Sequence, residues 1–255
     1  MGPRTYISLF SGAGGGDLAC QWLLGWQCVC YVEIDDYCQR VLKQRIKDGL
    51  LDDAPIWDDA RTFDGRPWRG RVDCVTTGFP CQPFSVAGKR RGEDDERNMW
   101  PATIECIRVV RPQWALLENV PGLLVHEYFG TILGDLAESG MDARWRVLSA
   151  AHCGASHIRE RVFVLAHAGS LGRISRQAKA IQPEAGLLSK DHGPLSREAW
   201  LPGVNRRTCR LGRYLPDDGD YAVVDGLATK LDELRALGNG QVPLVAATAW
   251  RLLTR

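Results

Sequence analysis

The 255-residue sequence lacks the features that would take it out of the soluble globular class. No stretch approaches the ~18 consecutive apolar residues of a membrane span. The opening MGPRTYISLF has no apolar leader core followed by a small-residue cleavage site, so no membrane partner is expected and the cytoplasm is the expected compartment. There is no internal repeat, no low-complexity tract and no C-x-x-C pair, and the five histidines show no metal-ligand spacing. Nine cysteines (20, 28, 30, 38, 74, 81, 106, 153 and 209) are an odd number, several of them inside apolar runs. That pattern argues against a disulfide framework or a zinc site and for reduced thiols, so no metal is expected. All but Cys81 read as packing residues, as do Trp22 and Trp250.

What is present is ordinary in bulk and uneven in detail. Hydrophobic residues at 45% and charged residues at 25% suit a folded domain, and the length suits one α/β domain with or without a smaller module. The net charge of +1 hides a local excess: Ala168 to Tyr214 carries nine Lys/Arg against three Asp/Glu, and the rest of the chain is net negative. Such a stretch suits a polyanion-binding module, and equally a solvated insertion.

The first half alternates short apolar runs with amphipathic segments. TYISLF (5–10), CVCYVEI, VDCVTTG (72–78) and QWALLENV (113–120) read as strands, and so do RWRVLSA and RVFVLAH around the turn-rich HCGASHIRE. Helical patterns lie over Asp17 to Leu24, Asp36 to Lys47 and TIECIRVV. This alternation predicts a mostly parallel sheet with helices on both faces. Residues 168 to about 228 lose periodicity and read as a small loop-rich module, and the helical pattern returns after GNGQVP.

SLFSGAGGG stands where the first strand turns into the first helix, where glycines let a backbone approach a ligand closely. Glu33 ends the second strand about 20 residues on, placed to accept hydrogen bonds from ribose hydroxyls. Asp59 at the tip of a third element is placed to read an adenine amino group. Together these indicate a nucleoside cofactor, leaving a nicotinamide oxidoreductase and an S-adenosylmethionine-dependent transferase; the absence of a clean G-x-G-x-x-G disfavours the first.

Cys81 in GFPCQPFS lies between two prolines just past a strand end, so its direction is constrained. Glu118 in LLENVPG ends another strand, and Arg159 and Arg161 in SHIRERVF share one face by period two. A thiolate, a carboxyl that can protonate and a planar donor suit addition to an electron-poor ring such as cytosine. Cys81 would attack C6, Glu118 would hydrogen-bond N3, Arg161 would stabilise O2, and C5 would take a methyl group.

In chain order, FSGAGGG, the PCQ of GFPCQPFS, ENV, HIRERV and ALGNGQVP resemble the ordered motif set of the DNA (cytosine-5) methyltransferase family, over all but the basic stretch. The resemblance implies an α/β fold with a doubly wound, mostly parallel sheet of the S-adenosylmethionine-dependent methyltransferase type and a small target-recognition domain. Residues 1–167 would form the catalytic domain, 168–228 the recognition domain, and 229–255 would return to the catalytic domain. The implied cofactor is S-adenosyl-L-methionine, contacted by Phe10, Ser11, Gly12, Ala13, Gly14, Gly78, Asn239, Gly240 and Gln241, with Glu33 at the ribose and Ile34 and Asp59 at the adenine. Cys81 is the implied nucleophile, with Glu118, Arg159 and Arg161 in the base pocket. The chain departs from the family at His157, where glutamine is frequent, and at Gly240 and Gln241, where a small residue and then valine are frequent.

Cytosine C6 is inaccessible in a stacked duplex, so the base must be extruded. Residues 85–98, with Gly88 and Gly92 as hinges, are expected to form a lid that orders on DNA. Gln82, Ser85, Lys89, Arg90, Arg91 and Arg97, with Arg206, Arg207, Arg210 and Arg213 of the basic stretch, are the expected DNA contacts. The expected partner is double-stranded DNA, bound by a monomer; a paired restriction endonuclease is not demonstrable from sequence. An RNA cytosine-5 methyltransferase and a catalytically silent DNA-binding relative are the alternatives.

Overall fold

A computed structural model describes residues 2–80, 98–155, 157–169, 236 and 239–255. Thr5–Leu9 (β1) buries every residue after the first, as a strand covered on both faces must. Gln27–Val32 (β2), Ile56–Trp57 (β3), Cys74–Thr77 (β4), Trp114–Asn119 (β5), Met141–Ser149 (β6) and Glu160–Ala168 (β7) complete one seven-stranded sheet in the order β3-β2-β1-β4-β5-β7-β6. β1 to β5 run parallel, and β7 lies antiparallel between β5 and β6.

Side-chain alternation along the strands sorts the core into two clusters. Ile7, Leu9, Val75 and Leu117 pack with Trp100, Ile104 and Ile107 of Trp100–Val110 (α3) and with Ile132 and Leu136 of Tyr128–Glu138 (α4). Tyr6, Cys74, Leu116 and Leu165 point the other way, with Leu42 of Asp36–Lys47 (α2) and Val245, Ala249 and Trp250 of Pro243–Leu253 (α5). Helices therefore cover both faces, as the alternation predicts. Among the described residues no helix is long and apolar enough to cross a membrane.

Several expectations are corrected. The first helix starts earlier than Asp17: Gly15–Leu18 (α1) widens into a π-helical turn over Ala19–Leu23. β2 ends at Val32, so Glu33 stands just beyond the strand. α4 was not legible because its glycines dilute its apolar face, and the third element before Asp59 is the two-residue strand β3. β7 runs through Ala168, whose N–H donates to Gln113 O at 2.9 Å. Trp250 is buried, but Trp22 is 44% exposed. Its Nε1–H donates to Leu50 O at 2.7 Å, which holds the ring on the surface. The described cysteines are free; all are buried except Cys153, which is half-buried. Cys81, residues 85–97 of the expected lid over 85–98, and the basic stretch from residue 170 lie outside the described residues.

Candidate active site

The sheet order reverses direction between β1 and β4, and open α/β sheets bind ligands at the carboxyl edge of such a switch. There β1 gives way to an irregular turn. Phe10 takes a left-handed backbone (φ 54°), a strain of about 1–2 kcal/mol for a residue with a Cβ. Gly12 (φ 56°) and Gly14 (φ 85°) follow, and Gly14 begins α1.

The turn is held from the β2 side. Ser11 N–H donates to Val32 O at 3.1 Å, and Ser11 Oγ donates to Ser8 Oγ at 2.9 Å. Gly12 N–H donates to Glu33 Oε2 at 2.6 Å, and Asp35 N–H to Glu33 Oε1 at 2.9 Å. Burial pushes the Glu33 carboxyl up, and these two donors oppose the shift. Arg45 of α2 donates to Ala13 O at 2.6 Å. Asp35 also caps α2 by accepting from Cys38 N–H at 2.9 Å, so one tripeptide serves loop and helix together.

Across the crevice, Glu118 lies near the end of β5 and is buried, with 8% exposure. Arg161 Nε lies 2.9 Å from Glu118 Oε1. Burial pushes the Glu118 carboxyl above its usual range, against the pull of Arg161 and Arg159. Arg159 precedes β7 and donates through Nη2 to Gly240 O at 2.7 Å, fastening the segment before α5 to the site. Burial and the like charge of Arg161 lower its guanidinium pKa.

One cavity is lined by Phe10, Ser11, Gly12, Gly78, Glu118, Asn239, Gly240 and Gln241, so residues far apart in sequence share it. Ala13 and Gly14 belong to the same turn, and Glu33 reaches it through Gly12. Ile34, 60% exposed, and Asp59 stand on the β2 and β3 side, outside that lining. The Asp59 carboxylate is held by Arg61 at 2.7 Å, which keeps its pKa low. His157 is exposed. Cys81, Gln82, Ser85, Lys89, Arg90, Arg91, Arg97, Arg206, Arg207, Arg210 and Arg213 lie outside the described residues.

Three contributors were missed in the sequence. Arg45 anchors Ala13 O from a helix face that reads as solvent-exposed. Asn119, inside the quoted ENV, donates from Nδ2 to Phe79 O at 3.1 Å and so ties the residue after Glu118 to the chain leading into Cys81. Asp17 lines the cavity floor, buried to 1% exposure, with Oδ1 accepting from Tyr6 OH at 3.0 Å and Oδ2 unpartnered. A buried carboxyl whose pKa is pushed up, facing a guanidinium, beside a glycine turn with an oriented carboxyl group, can grip a nucleoside on one side and hydrogen-bond a polar ring on the other.

Known proteins resemble this chain in sequence and in fold. The chain is 35% identical over 165 residues to the type II methyltransferase M.NgoMIV of Neisseria gonorrhoeae, covering 64% of this chain and 51% of that protein. It is 33% identical over 165 residues to M.DsaV of Dactylococcopsis salina, covering 63% and 44%. The chain thus spans about half the length of the curated relatives it matches. Among solved structures, Spodoptera frugiperda DNMT2 (an E260A/E261A/K263A mutant in that protein's own numbering) superposes with a TM-score of 0.55 at 22% identity, over 69% of this chain and 53% of that one. The Dnmt2 methyltransferase of S. pombe gives 0.54 at 21% identity, over 71% and 57%. These likenesses establish the fold as that of S-adenosylmethionine-dependent methyltransferases. The sequence pattern of C-5 cytosine-specific DNA methylases matches residues 4–191, and the chain belongs to that family.

Proposed function

We propose that the chain is a DNA (cytosine-5) methyltransferase that modifies a flipped cytosine in a specific DNA sequence through a covalent bond between Cys81 and C6. The observation that carries this reading is the buried Glu118–Arg161 pair, 2.9 Å apart, in one cavity with the glycine turn and the Asn239–Gln241 segment.

The residues present fit S-adenosyl-L-methionine. Glu33 offers a carboxylate already oriented by two backbone N–H groups for ribose hydroxyls, and Ile34 offers exposed apolar surface beside it for adenine. Asp59 would share its carboxylate between Arg61 and the adenine amino group. Phe10, Ser11, Gly12, Ala13, Gly14, Gly78, Asn239, Gly240 and Gln241 would hold the remainder. When bound, the cofactor would supply an electrophilic methyl group on a sulfonium.

The protein's own residues would act as follows. The Cys81 thiolate adds to C6 of cytosine, and the ring's electrons move toward C5 and N3. Glu118, its pKa pushed up by burial, hydrogen-bonds N3 through its acid form as negative charge develops there. Arg161, and Arg159 beside it, orient Glu118 and stabilise O2. After C5 has taken the methyl group, a base removes the C5 proton and the Cys81–C6 bond breaks, restoring the thiolate. Residues 85–98 would close over the extruded base, and the stretch 168–228 would read the duplex with Arg206, Arg207, Arg210 and Arg213 on phosphates and base edges.

The test is incubation with unmodified DNA of varied sequence and S-adenosylmethionine, followed by base-resolution mapping of 5-methylcytosine, with Cys81→Ser as control. Methylation at a defined site, abolished in the variant, is expected. RNA methylated while DNA stays unmodified would replace the substrate, and activity surviving in Cys81→Ser would remove the covalent step.

A further inference from the structure

Gln241 stands at the junction of the two halves of the cleft, and three glycines make room for it. A Cβ at Gly15 would collide with the backbone oxygen of Gln241, one at Gly16 would lie 2.6 Å from Gln241 Oε1, and one at Gly78 would lie 2.9 Å from Gln241 Nε2. That same point at Gly78 is 3.4 Å from Glu118 Oε2. One end of the carboxamide therefore faces the glycine turn and the other faces Glu118. Gln241 is half-buried, and neither end has a hydrogen-bond partner among the described residues. A polar group so placed is satisfied when a ligand arrives.

We propose that Gln241 is a positioning residue shared by the two half-sites: its carboxamide presents one end to the amino-acid portion of the cofactor on the glycine turn and the other to Glu118. The inference rests on the functional reading above and assigns to a side chain what that reading leaves to a backbone segment. Its physics is the asymmetry of an amide. In the structure Oε1 faces the glycine turn and Nε2 faces Glu118; a ligand carboxylate on the turn attracts the N–H end and turns the amide over, which brings the carbonyl to Glu118, where it accepts from a protonated carboxyl and is repelled by an ionised one. Occupying the cofactor half thus biases Glu118 toward its acid form, the form the base half needs. The charged groups facing Glu118 are Arg161 and Arg159; Asn119, its neighbour on β5, is already engaged with Phe79 O.

The experiment is calorimetric titration of the full chain with S-adenosylhomocysteine in buffers of different ionisation enthalpy, which reads protons taken up on binding. Wild type is expected to take up a fraction of a proton near neutral pH. Gln241→Met, which keeps length and bulk without the amide, is expected to bind about tenfold more weakly, the loss of one hydrogen bond to a charged group, and to lose most of the uptake. Glu118→Gln is expected to lose the uptake while keeping most of the affinity. Gln241→Val serves as a second variant, and a thermal melt of each confirms folding. Equal affinity and equal uptake in wild type and in folded Gln241→Met or Gln241→Val overturn the inference alone, as does a wild type that binds without uptake. A wild type that binds no S-adenosylhomocysteine overturns the functional reading and this inference together.

Discussion

The side chain of Arg161 meets Glu118 at 2.9 Å across two antiparallel strands, with Glu118 paired in register to Phe163. The carboxyl is nearly inaccessible to water, so burial outweighs the guanidinium and the acid form persists above the usual carboxyl range. Methylation is therefore expected to fall as pH rises through the raised Glu118 pKa, once thiolate formation at Cys81 has been accounted for. Glu118→Gln should lower the rate about 10²- to 10⁴-fold, the ordinary worth of a positioned acid, and remove that alkaline decline. Initial rates of methyl transfer against pH for both proteins check this; an unchanged decline in the variant would assign it to another group.

Asp17 carries the opposite kind of consequence, for stability. Burial raises its pKa from the ordinary 3.8 to about 6, so between those values the folded chain keeps a proton that the unfolded chain has lost. Stability from this group is complete below the unfolded value and is lost as pH rises through the folded one. Asn at this position cannot ionise and still accepts from Tyr6 OH. Relative to wild type, Asp17→Asn should gain up to about 3 kcal/mol between acid and neutral pH, two to three tenfold steps in the folding constant. Urea unfolding across that range measures it, and a pH-independent difference between the proteins would refute it.

Two glycines that look alike in sequence should fail differently. Gly15→Ala would force its methyl group against the backbone of Gln241, which can move only by shifting the segment before α5. A loss of about 1–3 kcal/mol is expected, visible as a lower melting temperature. Gly78→Ala would meet the ends of the Gln241 and Glu118 side chains at 2.9 and 3.4 Å, which can swing aside. Melting should stay nearly unchanged while methylation falls about tenfold or more, because the displaced group is a positioned acid. The reverse ranking in melts would show that the contacts are wrongly weighted.

Asn119→Ala should separate positioning from cofactor binding. The substitution leaves Phe79 O without its 3.1 Å donor and loosens the peptide leading into Cys81. A misplaced nucleophile costs about 10²-fold in rate, and kcat is expected to fall on that scale while KM for S-adenosylmethionine stays within about twofold. A matched rise in KM with kcat intact would instead make Asn119 part of the cofactor site.

The strands were legible because their burial is periodic: β1, β4 and β5 fall inside the runs TYISLF, VDCVTTG and QWALLENV, and β2 overlaps CVCYVEI, starting one residue earlier. α2 was legible to the residue because Asp35 caps it and Lys47 closes it. The direction of β7 was not legible, since an antiparallel strand between β5 and β6 carries the same alternating pattern as a parallel one. The site divides the same way. Glu33, Glu118 and the glycine turn announce themselves by standing at strand ends.

Which residues are proposed to carry the chemistry was thus legible along the chain, because strand ends, capping residues and left-handed glycines are local properties. What they touch was decided only by folding. Glu118 and Arg161 are 43 positions apart and meet through strand register; Arg159 and Gly240 are 81 apart and meet because α5 packs back on the sheet. Whether Glu118 holds its proton depends on how much water those contacts exclude, and exclusion of water belongs to the packed molecule.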